Sequence, residues 1–148
     1  MDKSFFEEII DDETIKDPKT VTSMVCCSGK IFYDLAKAKA DNEGAANIPV
    51  LRFEQLYPFP YELMKKLLRR YPKVKEITWV QEEPQNMGSW SFVRGRLLEV
   101  LKPTQQLYYC GRKGSGTPAE GSSKAHILEQ ERIVQDALGL ACAWKPDR

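Results

Sequence analysis

Apolar positions along this 148-residue chain follow two patterns, short continuous apolar runs and longer segments in which apolar residues recur every three or four positions. Short runs bounded by turn-forming residues are typical of buried strands, and the longer recurrence is typical of helices. We predict strands over 21–27, 48–53, 77–80 and 107–110. We predict helices over 31–41, 60–71, 89–101 and 122–138, with Pro60 at the first helical position of the second and Gly139 at the end of the last.

The predicted strands and helices alternate along the chain. This order predicts a parallel sheet covered on both faces, because each parallel crossover needs a helix to return the chain. The apolar and acidic run over 5–10 is either an edge strand or a loose arm, and a charged connector follows it. We therefore predict an arm or edge strand with its connector over 1–20, an α/β domain over 21–139 (4–139 with the edge strand) and a patternless tail over 140–148.

The stretch over 79–90, which reads WVQEEPQNMGSW, departs from this regular alternation. An apolar run leads directly into two adjacent carboxylates, and a turn over 84–88 follows. Ligands and partners gather at the carboxyl ends of parallel strands, so we expect Glu82 and Glu83 to lie where function is usually located. Neighbours in a strand point to opposite faces, however, which makes this pair poorly suited to share a proton in acid–base catalysis.

Charge and hydropathy exclude several classes of protein. Lys and Arg number 22 against 21 Asp and Glu, so the formal charge of +1 supplies no electrostatic argument for binding nucleic acid or an anionic membrane. No apolar run approaches the roughly 20 residues of a membrane-spanning helix, and the acidic start does not resemble a signal peptide. We expect a soluble intracellular protein of one domain.

Cysteine and histidine are too few and too scattered to predict a metal site. The four cysteines show no Cys-x-x-Cys spacing, and the adjacent pair Cys26 and Cys27 lies within an apolar strand pattern. We expect them to be reduced core residues, since free cysteine is among the most buried types. The single histidine, His126, is expected to pack or to form hydrogen bonds rather than to act as a base.

A polar, glycine-rich loop over 111–121 contains a loose match to a dinucleotide-binding motif at 114–119. We reject this match, because no strand follows it to supply the acidic residue that binds the ribose. A weaker hypothesis is an anion site formed by Arg112 and Lys113 near the start of the last helix. Lys30, at the first turn between strand and helix, raises the same possibility.

Three longer motifs stand in consistent order and spacing. They read CSGKIFYDL over 27–35, RFEQLYPFP over 52–60 and WVQEEPQNMGSW over 79–90, and Gly111-Arg112 and SKAH over 123–126 follow them. Together they resemble the carboxy-terminal domain of the decarboxylating first component of 2-oxoglutarate dehydrogenase, over about 4–139. The resemblance implies a transketolase carboxy-terminal-like fold: a three-layer α/β/α domain with a five-stranded, mostly parallel sheet. Its one antiparallel strand would be the run over 5–10.

The resemblance also implies a function that this chain would serve without catalysing it. Enzymes of this family use thiamine diphosphate and magnesium to decarboxylate 2-oxoglutarate in the citric acid cycle and pass the succinyl group to a lipoyl arm. The cofactors are held by two larger preceding domains, so the resemblance assigns no catalytic, cofactor-binding or metal-binding residue here. The implied partners are those domains, the dimer mate and dihydrolipoyl succinyltransferase. The implied location is the bacterial cytoplasm or the mitochondrial matrix.

We therefore predict that this domain supports catalysis from a distance, by contacts at the carboxyl ends of its strands. The candidate contact residues are Glu54, Gln55, Tyr57, Glu82, Glu83, Asn86 and Trp90. Two alternatives remain open at this stage. One is a regulatory module that binds a nucleotide or acyl-coenzyme A, and the other is a stand-alone interaction protein with the same fold.

Overall fold

The computed structural model of this chain describes residues 7–112 and 123–139. Its strands are β1 (Ile9–Ile10), β2 (Ser23–Cys27), β3 (Val50–Phe53), β4 (Glu76–Pro84) and β5 (Gln106–Arg112). Its helices are α1 (Ile31–Asp41), α2 (Tyr61–Arg70), α3 (Trp90–Val100) and α4 (Ser123–Ala137), and short 3-10 helices cover Pro18–Thr20 and Glu43–Ala45. Each strand and helix predicted from the apolar pattern is therefore confirmed, with differences at the ends. None of the helices in the described ranges is long and apolar enough to cross a membrane.

The strands of the described chain form one sheet in the order β1-β3-β2-β4-β5. Strands β2 to β5 run parallel, and β1 pairs antiparallel with β3, Ile9 opposite Phe53. This confirms the predicted five-stranded, mostly parallel fold. The antiparallel strand is the end of the predicted run over 5–10, of which residues 5 and 6 lie outside the described ranges. Because the chain passes from β2 to β3 on one side and returns to β4 on the other, the order reverses between β2 and β4.

Helices cover both faces of the sheet, as the continuous apolar strands require. Helices α2 and α3 pack on one face through Met64, Leu68, Val93 and Leu97, where the indole of Trp79 is fully buried. Helices α1 and α4 pack on the other face through Ile31, Leu35, Ile133 and Val134. The carboxyl ends of β2 to β5 therefore meet at one edge of a closed three-layer unit, which we call the carboxyl edge.

Two of these differences at the ends of elements change the position assigned to named residues. Strand β4 does not stop at residue 80 but continues to Pro84, because β5 stays paired with it past an irregularity and Pro84 lies opposite Arg112. Glu82 and Glu83 therefore belong to the strand itself. Pro60 does not occupy the first helical position of α2; it precedes the helix with φ −82° and ψ 69°, and its carbonyl accepts a hydrogen bond from Met64 N at 3.0 Å.

The connector after β1 fastens the edge of the sheet to helices on both faces. Asp12 Oδ2 accepts hydrogen bonds from Lys39 Nζ on α1 at 2.5 Å and from Val50 N on β3 at 3.0 Å. Asp11 accepts a hydrogen bond from the hydroxyl of Tyr71 at 2.7 Å and pairs with Arg70 at the end of α2. Two adjacent acids thus join α1, β3 and α2.

Candidate assembly surface at the carboxyl edge

The segment that follows β3 is held against β1 by main-chain and side-chain hydrogen bonds. Glu54 N and Gln55 N both donate to Glu8 O, at 2.8 and 3.2 Å. The Gln55 carboxamide donates to Glu8 Oε2 at 3.0 Å and to Pro58 O at 2.9 Å. Glu54 is exposed and pairs with Arg52 at 3.1 Å. Glu54 and Gln55 are therefore fixed at the carboxyl edge, next to the antiparallel strand.

Tyr57 projects into solvent from this segment, and 81% of its surface is exposed. It precedes a cis peptide bond to Pro58, and its ring meets the ring of Phe92 on α3 edge-to-face, with centroids 6.1 Å apart. The two rings line a shallow groove of about 390 Å³, completed by Pro58, Phe59, Tyr61 and Arg96. The Arg96 guanidinium lies 3.8 Å from the centre of the Phe92 ring and donates to Phe92 O at 3.1 Å. An aromatic groove with one cationic wall thus joins the segment after β3 to the first turns of α3.

The adjacent glutamates at the end of β4 point to opposite faces, as expected for strand neighbours. Glu82 Oε1 accepts a hydrogen bond from Gln130 Nε2 on α4 at 2.8 Å, and the same nitrogen donates to Asp34 Oδ2 on α1 at 3.0 Å. Glu83 is exposed on the side of α3, where its side chain lies against Gly88. The two carboxylates face different helices, so the structure gives no basis for a shared proton.

The turn between β4 and α3 presents polar and apolar side chains to solvent. Asn86 is exposed there, and Met87 exposes 58% of its surface. Gly88, with φ +66°, allows the chain to reverse, and a side chain at this position would meet Glu83 at 3.0 Å. Glu83, Asn86 and Met87 therefore form one exposed patch at the carboxyl edge.

Trp90 differs from the other candidate contact residues because only 8% of its surface is exposed. Its ring packs on that of Tyr109, with centroids 5.2 Å apart, and its main-chain nitrogen donates to Gln81 Oε1 at 3.0 Å. The indole is thus a core side chain of this domain. Any contact of Trp90 with other polypeptide is confined to its small exposed edge.

The anion-site candidates lie at the same edge, beside α1 and α4. Lys30 is exposed and stands directly before α1. Arg112 ends β5, and its Nη2 lies 2.5 Å from Nδ1 of His126 in the first turn of α4, so His126 forms the kind of hydrogen bond expected of it. Lys113 and the rest of the glycine-rich loop up to residue 122 lie outside the described ranges. Whether these residues bind an anion stays a prediction.

The adjacent cysteines of β2 are buried. Burial raises the pKa of the Cys27 thiol to about 12 and also raises the pKa of Cys26. In residues 7–112 and 123–139, no three His, Cys, Asp or Glu side chains form a group that could hold a metal ion.

Several residues of this surface were not singled out by sequence reasoning. Met87 and Gln81 stood in the sequence analysis only as members of the motif over 79–90. Phe92 and Arg96 carried a signal, because residues four apart lie on the same side of a helix and this spacing suits a cation on an aromatic ring. The buried role of Gln81 had no signal in the apolar pattern, although all its hydrogen-bond partners lie within nine residues of it in the chain.

Comparisons with known proteins agree with this fold and with the family resemblance of the sequence. Residues 1–138 match the model of the family described as "2-oxoglutarate dehydrogenase C-terminal". The 2-oxoglutarate dehydrogenase E1 component of Coxiella burnetii is 43% identical over 125 residues, 84% of this chain and 13% of that protein. That of Rickettsia felis is 39% identical over 138 residues, 91% of this chain and 14% of that protein. That of a Geobacillus species is 45% identical over 118 residues, 80% of this chain and 12% of that protein.

A solved structure described as "Split gene transketolase, inactive beta4 tetramer" has the same fold. Its TM-score is 0.57 at 18% identity, over 85% of this chain and 44% of the other. The chain thus spans about one seventh of the length of the E1 relatives and less than half of the transketolase chain. On the strength of the family match and the E1 relatives, this chain belongs to the 2-oxoglutarate dehydrogenase C-terminal family.

Proposed function

We propose that this chain is the carboxy-terminal assembly domain of a thiamine-diphosphate-dependent 2-oxoglutarate dehydrogenase and is not catalytic in isolation. In this role its carboxyl edge docks on the thiamine-binding polypeptide of the same subunit or on the dimer mate. The docking helps to shape an active site whose reacting groups lie elsewhere. The chemistry served is oxidative decarboxylation of 2-oxoglutarate with transfer of the succinyl group to a lipoyl arm in the citric acid cycle.

One observation carries this proposal: the carboxyl edge exposes large apolar side chains beside a groove, although the domain has a complete core without them. Tyr57 and Met87 expose 81% and 58% of their surfaces at this edge. Aromatic residues, Met and Arg are enriched at protein interfaces, and exposed apolar patches rimmed by polar residues often mark contact sites. Glu54, Glu83 and Asn86 supply such a rim.

The coverage of the relatives supports the choice of partner. A chain that corresponds to about one seventh of an E1 component corresponds to a small part of the polypeptide that performs the reaction. Thiamine diphosphate and magnesium then belong to the remaining polypeptide, and dihydrolipoyl succinyltransferase would receive the product from the whole enzyme. The bacterial sources of the relatives favour the bacterial cytoplasm over the mitochondrial matrix as the compartment.

A chimera tests this proposal directly. This chain would replace the 125 matched residues of the Coxiella burnetii E1 component. We expect the chimera to release CO2 from 2-oxoglutarate when supplied with thiamine diphosphate and magnesium, because the carboxyl edge restores the contacts that shape the active site. The same E1 component lacking those residues is the matched control and should be inactive.

The same assay is also run on the chain alone. Supplied with 2-oxoglutarate, thiamine diphosphate and magnesium, it should give no turnover above a blank without protein. Turnover by the chain alone would contradict the non-catalytic role. A folded chimera without activity, or a truncated E1 component with full activity, would contradict the assembly role.

A further inference from the structure

The buried carboxamide of Gln81 forms the centre of the turn that carries the exposed patch. Only 3% of Gln81 is exposed, and its side chain lies on the face of β4 that packs against α3. Oε1 accepts hydrogen bonds from Trp79 Nε1 at 3.1 Å and from Trp90 N at 3.0 Å. Nε2 lies 3.2, 2.9 and 2.8 Å from the carbonyl oxygens of Glu83, Pro84 and Met87. One side chain therefore connects the strand, the turn and the first residue of the helix.

These partners determine the orientation of the carboxamide. The indole and main-chain N–H groups can only donate, and the three carbonyl oxygens can only accept. Both lone pairs of Oε1 and both protons of Nε2 are used, so the side chain has no spare capacity for a ligand or a reaction. Buried amides with every hydrogen bond made hold their surroundings in a single arrangement. The role of Gln81 is thus to fix main-chain geometry.

Tyr109 and Gly111 on β5 complete this arrangement. The Tyr109 hydroxyl lies 2.7 Å from Arg112 O and 3.2 Å from Glu83 O. A side chain at Gly111 would come within 2.5 Å of that hydroxyl and 2.7 Å of Gln81 O, so glycine leaves the space that the hydroxyl occupies. Gln81 and Tyr109 together draw the carbonyl groups of the turn inward. Glu83, Asn86 and Met87 consequently remain directed outward.

We infer that Gln81 is the positioning residue of the assembly surface. It sets the main chain over 83–87 and thereby the direction in which Glu83, Asn86 and Met87 meet the rest of the enzyme. This inference rests on the proposed function, because it assigns the patch the same role in docking. Gln81 contacts no substrate or cofactor and acts on the reaction only through the shape of this turn.

The test is Gln81→Met in the chimera with the Coxiella burnetii E1 component. Methionine keeps the length of the side chain but can neither donate to the three carbonyls nor accept from the two N–H groups. We expect specific activity at a temperature where the variant is folded to fall about ten-fold or more, since remote changes that misplace groups by about 1 Å can cost 10²-fold. Hydrogen exchange of the amides over 83–90 should accelerate in the same variant and in the unfused chain.

Gln105→Met is the matched control. Gln105 also satisfies main-chain groups, accepting from Lys102 N at 2.9 Å and donating to Val74 O at 3.0 Å, but it lies at the opposite, amino edge of the sheet. The Gln105→Met substitution should lower the unfolding midpoint and leave the activity of the folded chimera within about two-fold of the unmodified chimera.

Tyr109→Phe is a milder second variant, which keeps the ring on Trp90 and removes the hydroxyl. This variant should also reduce the activity of the chimera, and it tests the positioning role of Gln81 if Gln81→Met does not fold.

Two results would overturn the inference. One is a folded Gln81→Met chimera with unchanged activity and unchanged exchange over 83–90. The other is an equal loss of activity in Gln105→Met, which would show that any lost main-chain hydrogen bond has this effect. Failure of the proposed function looks different, because the unmodified chimera itself would then be folded and inactive.

Discussion

The aromatic residues near the carboxyl edge show how position in the fold decides the role of similar side chains. Trp79 is fully enclosed between the sheet and the helices, with Phe53 at 5.6 Å between ring centroids. Trp90 is nearly as buried and packs on Tyr109. Tyr57 is almost entirely exposed and touches only the ring of Phe92 among the described ring contacts. The first two therefore stabilise the domain, and the third is available to other polypeptide.

Trp90→Ala should lower the free energy of unfolding of the chain by about 3–5 kcal/mol. The loss follows from the removal of a large buried ring, which leaves a cavity beside Tyr109. Urea denaturation followed by circular dichroism measures it. Trp90→Phe fills more of the space and should cost clearly less. A denaturation midpoint of Trp90→Ala equal to that of the unmodified chain would contradict the core role.

The thiols of Cys26 and Cys27 should be unreactive toward a thiol reagent in the folded chain near neutral pH. Burial raises both pKa values, so almost no thiolate is present, and the thiolate is the reactive form. The measurement is the rate of absorbance change with an aromatic disulfide, before and after denaturation. Cys142, outside the described residues, is changed to Ser in both samples so that it contributes no signal. Rapid labelling of the folded Cys142→Ser protein would show that β2, or β5 with the buried Cys110, opens.

At the scale of elements, the two acids after β1 connect parts of the fold that are far apart in sequence. Lys39 and Asp12 form an ion pair with side chains that are only 7% and 9% exposed. The pair borders a mainly apolar groove of about 530 Å³ between α1 and the connector. Burial by itself would raise the pKa of Asp12, but the hydrogen bonds from Lys39, Thr14 and Val50 outweigh it and lower the pKa.

Lys39→Met should cost about 3–5 kcal/mol at neutral pH, because it leaves the buried Asp12 carboxylate without its cation. The double variant Asp12→Asn with Lys39→Met should recover part of this loss, since no uncompensated charge remains. Denaturant titrations of the two single variants and the double variant give the coupling between the residues. Equal losses of unfolding free energy in Lys39→Met and in the double variant would show that Lys39 does not compensate the charge of Asp12.

The pH dependence of stability should follow from the lowered pKa of Asp12. A carboxyl whose pKa is lower in the folded state stabilises the fold above its unfolded pKa of 3.8 and loses this contribution as the pH falls through the folded value. The free energy of unfolding of the unmodified chain should therefore decline below about pH 4. Asp12→Asn should be less stable at neutral pH and show a shallower decline. Parallel declines of the free energy of unfolding with pH in the two proteins would exclude Asp12 as a source of the pH dependence.

At the scale of the whole molecule, the four parallel strands end at one edge, and the segments that leave β3 and β4 carry the exposed side chains of Tyr57 and Met87. The Tyr57–Phe92 contact joins the segment after β3 to α3, and Gln81 joins β4 to the same helix. The core on both faces of the sheet is complete without these exposed side chains. In the proposed role, folding and docking would therefore depend on largely different residues.

The double variant Tyr57→Ser with Met87→Ser tests this separation. We expect the free energy of unfolding of the chain to change by no more than about 0.5 kcal/mol, as for most surface substitutions. The activity of the chimera with this double variant should fall, because the docking contacts are lost. Leu98→Ser, which changes a residue 47% exposed near the end of α3 toward the amino edge of the sheet, is the control and should leave both quantities unchanged. A large loss of stability in the double variant would show that the two side chains stabilise the fold instead.

Much of the fold was predictable because local patterns carry the information. The continuous apolar runs indicated strands buried on both faces, and the three-to-four-residue recurrence indicated helices. The ends of elements were less predictable, as β4 shows: residues 81–84 have no apolar pattern, and they remain in the strand because β5 lies beside them. Pro60 was assigned to a helix that begins one residue later, because Pro is common at the first helical position.

The sequence by itself determined the alternation of strands and helices, the burial of the adjacent cysteines and the family to which the motifs at the carboxyl edge belong. Only the tertiary structure decided which side chains share a hydrogen bond across the fold. It paired Asp12 with Lys39 and Asp11 with Tyr71, and it bridged Glu82 and Asp34 through Gln130. The physical reason is that a polar side chain is satisfied by whichever groups the packing of distant elements brings within about 3 Å, and no local pattern encodes that proximity.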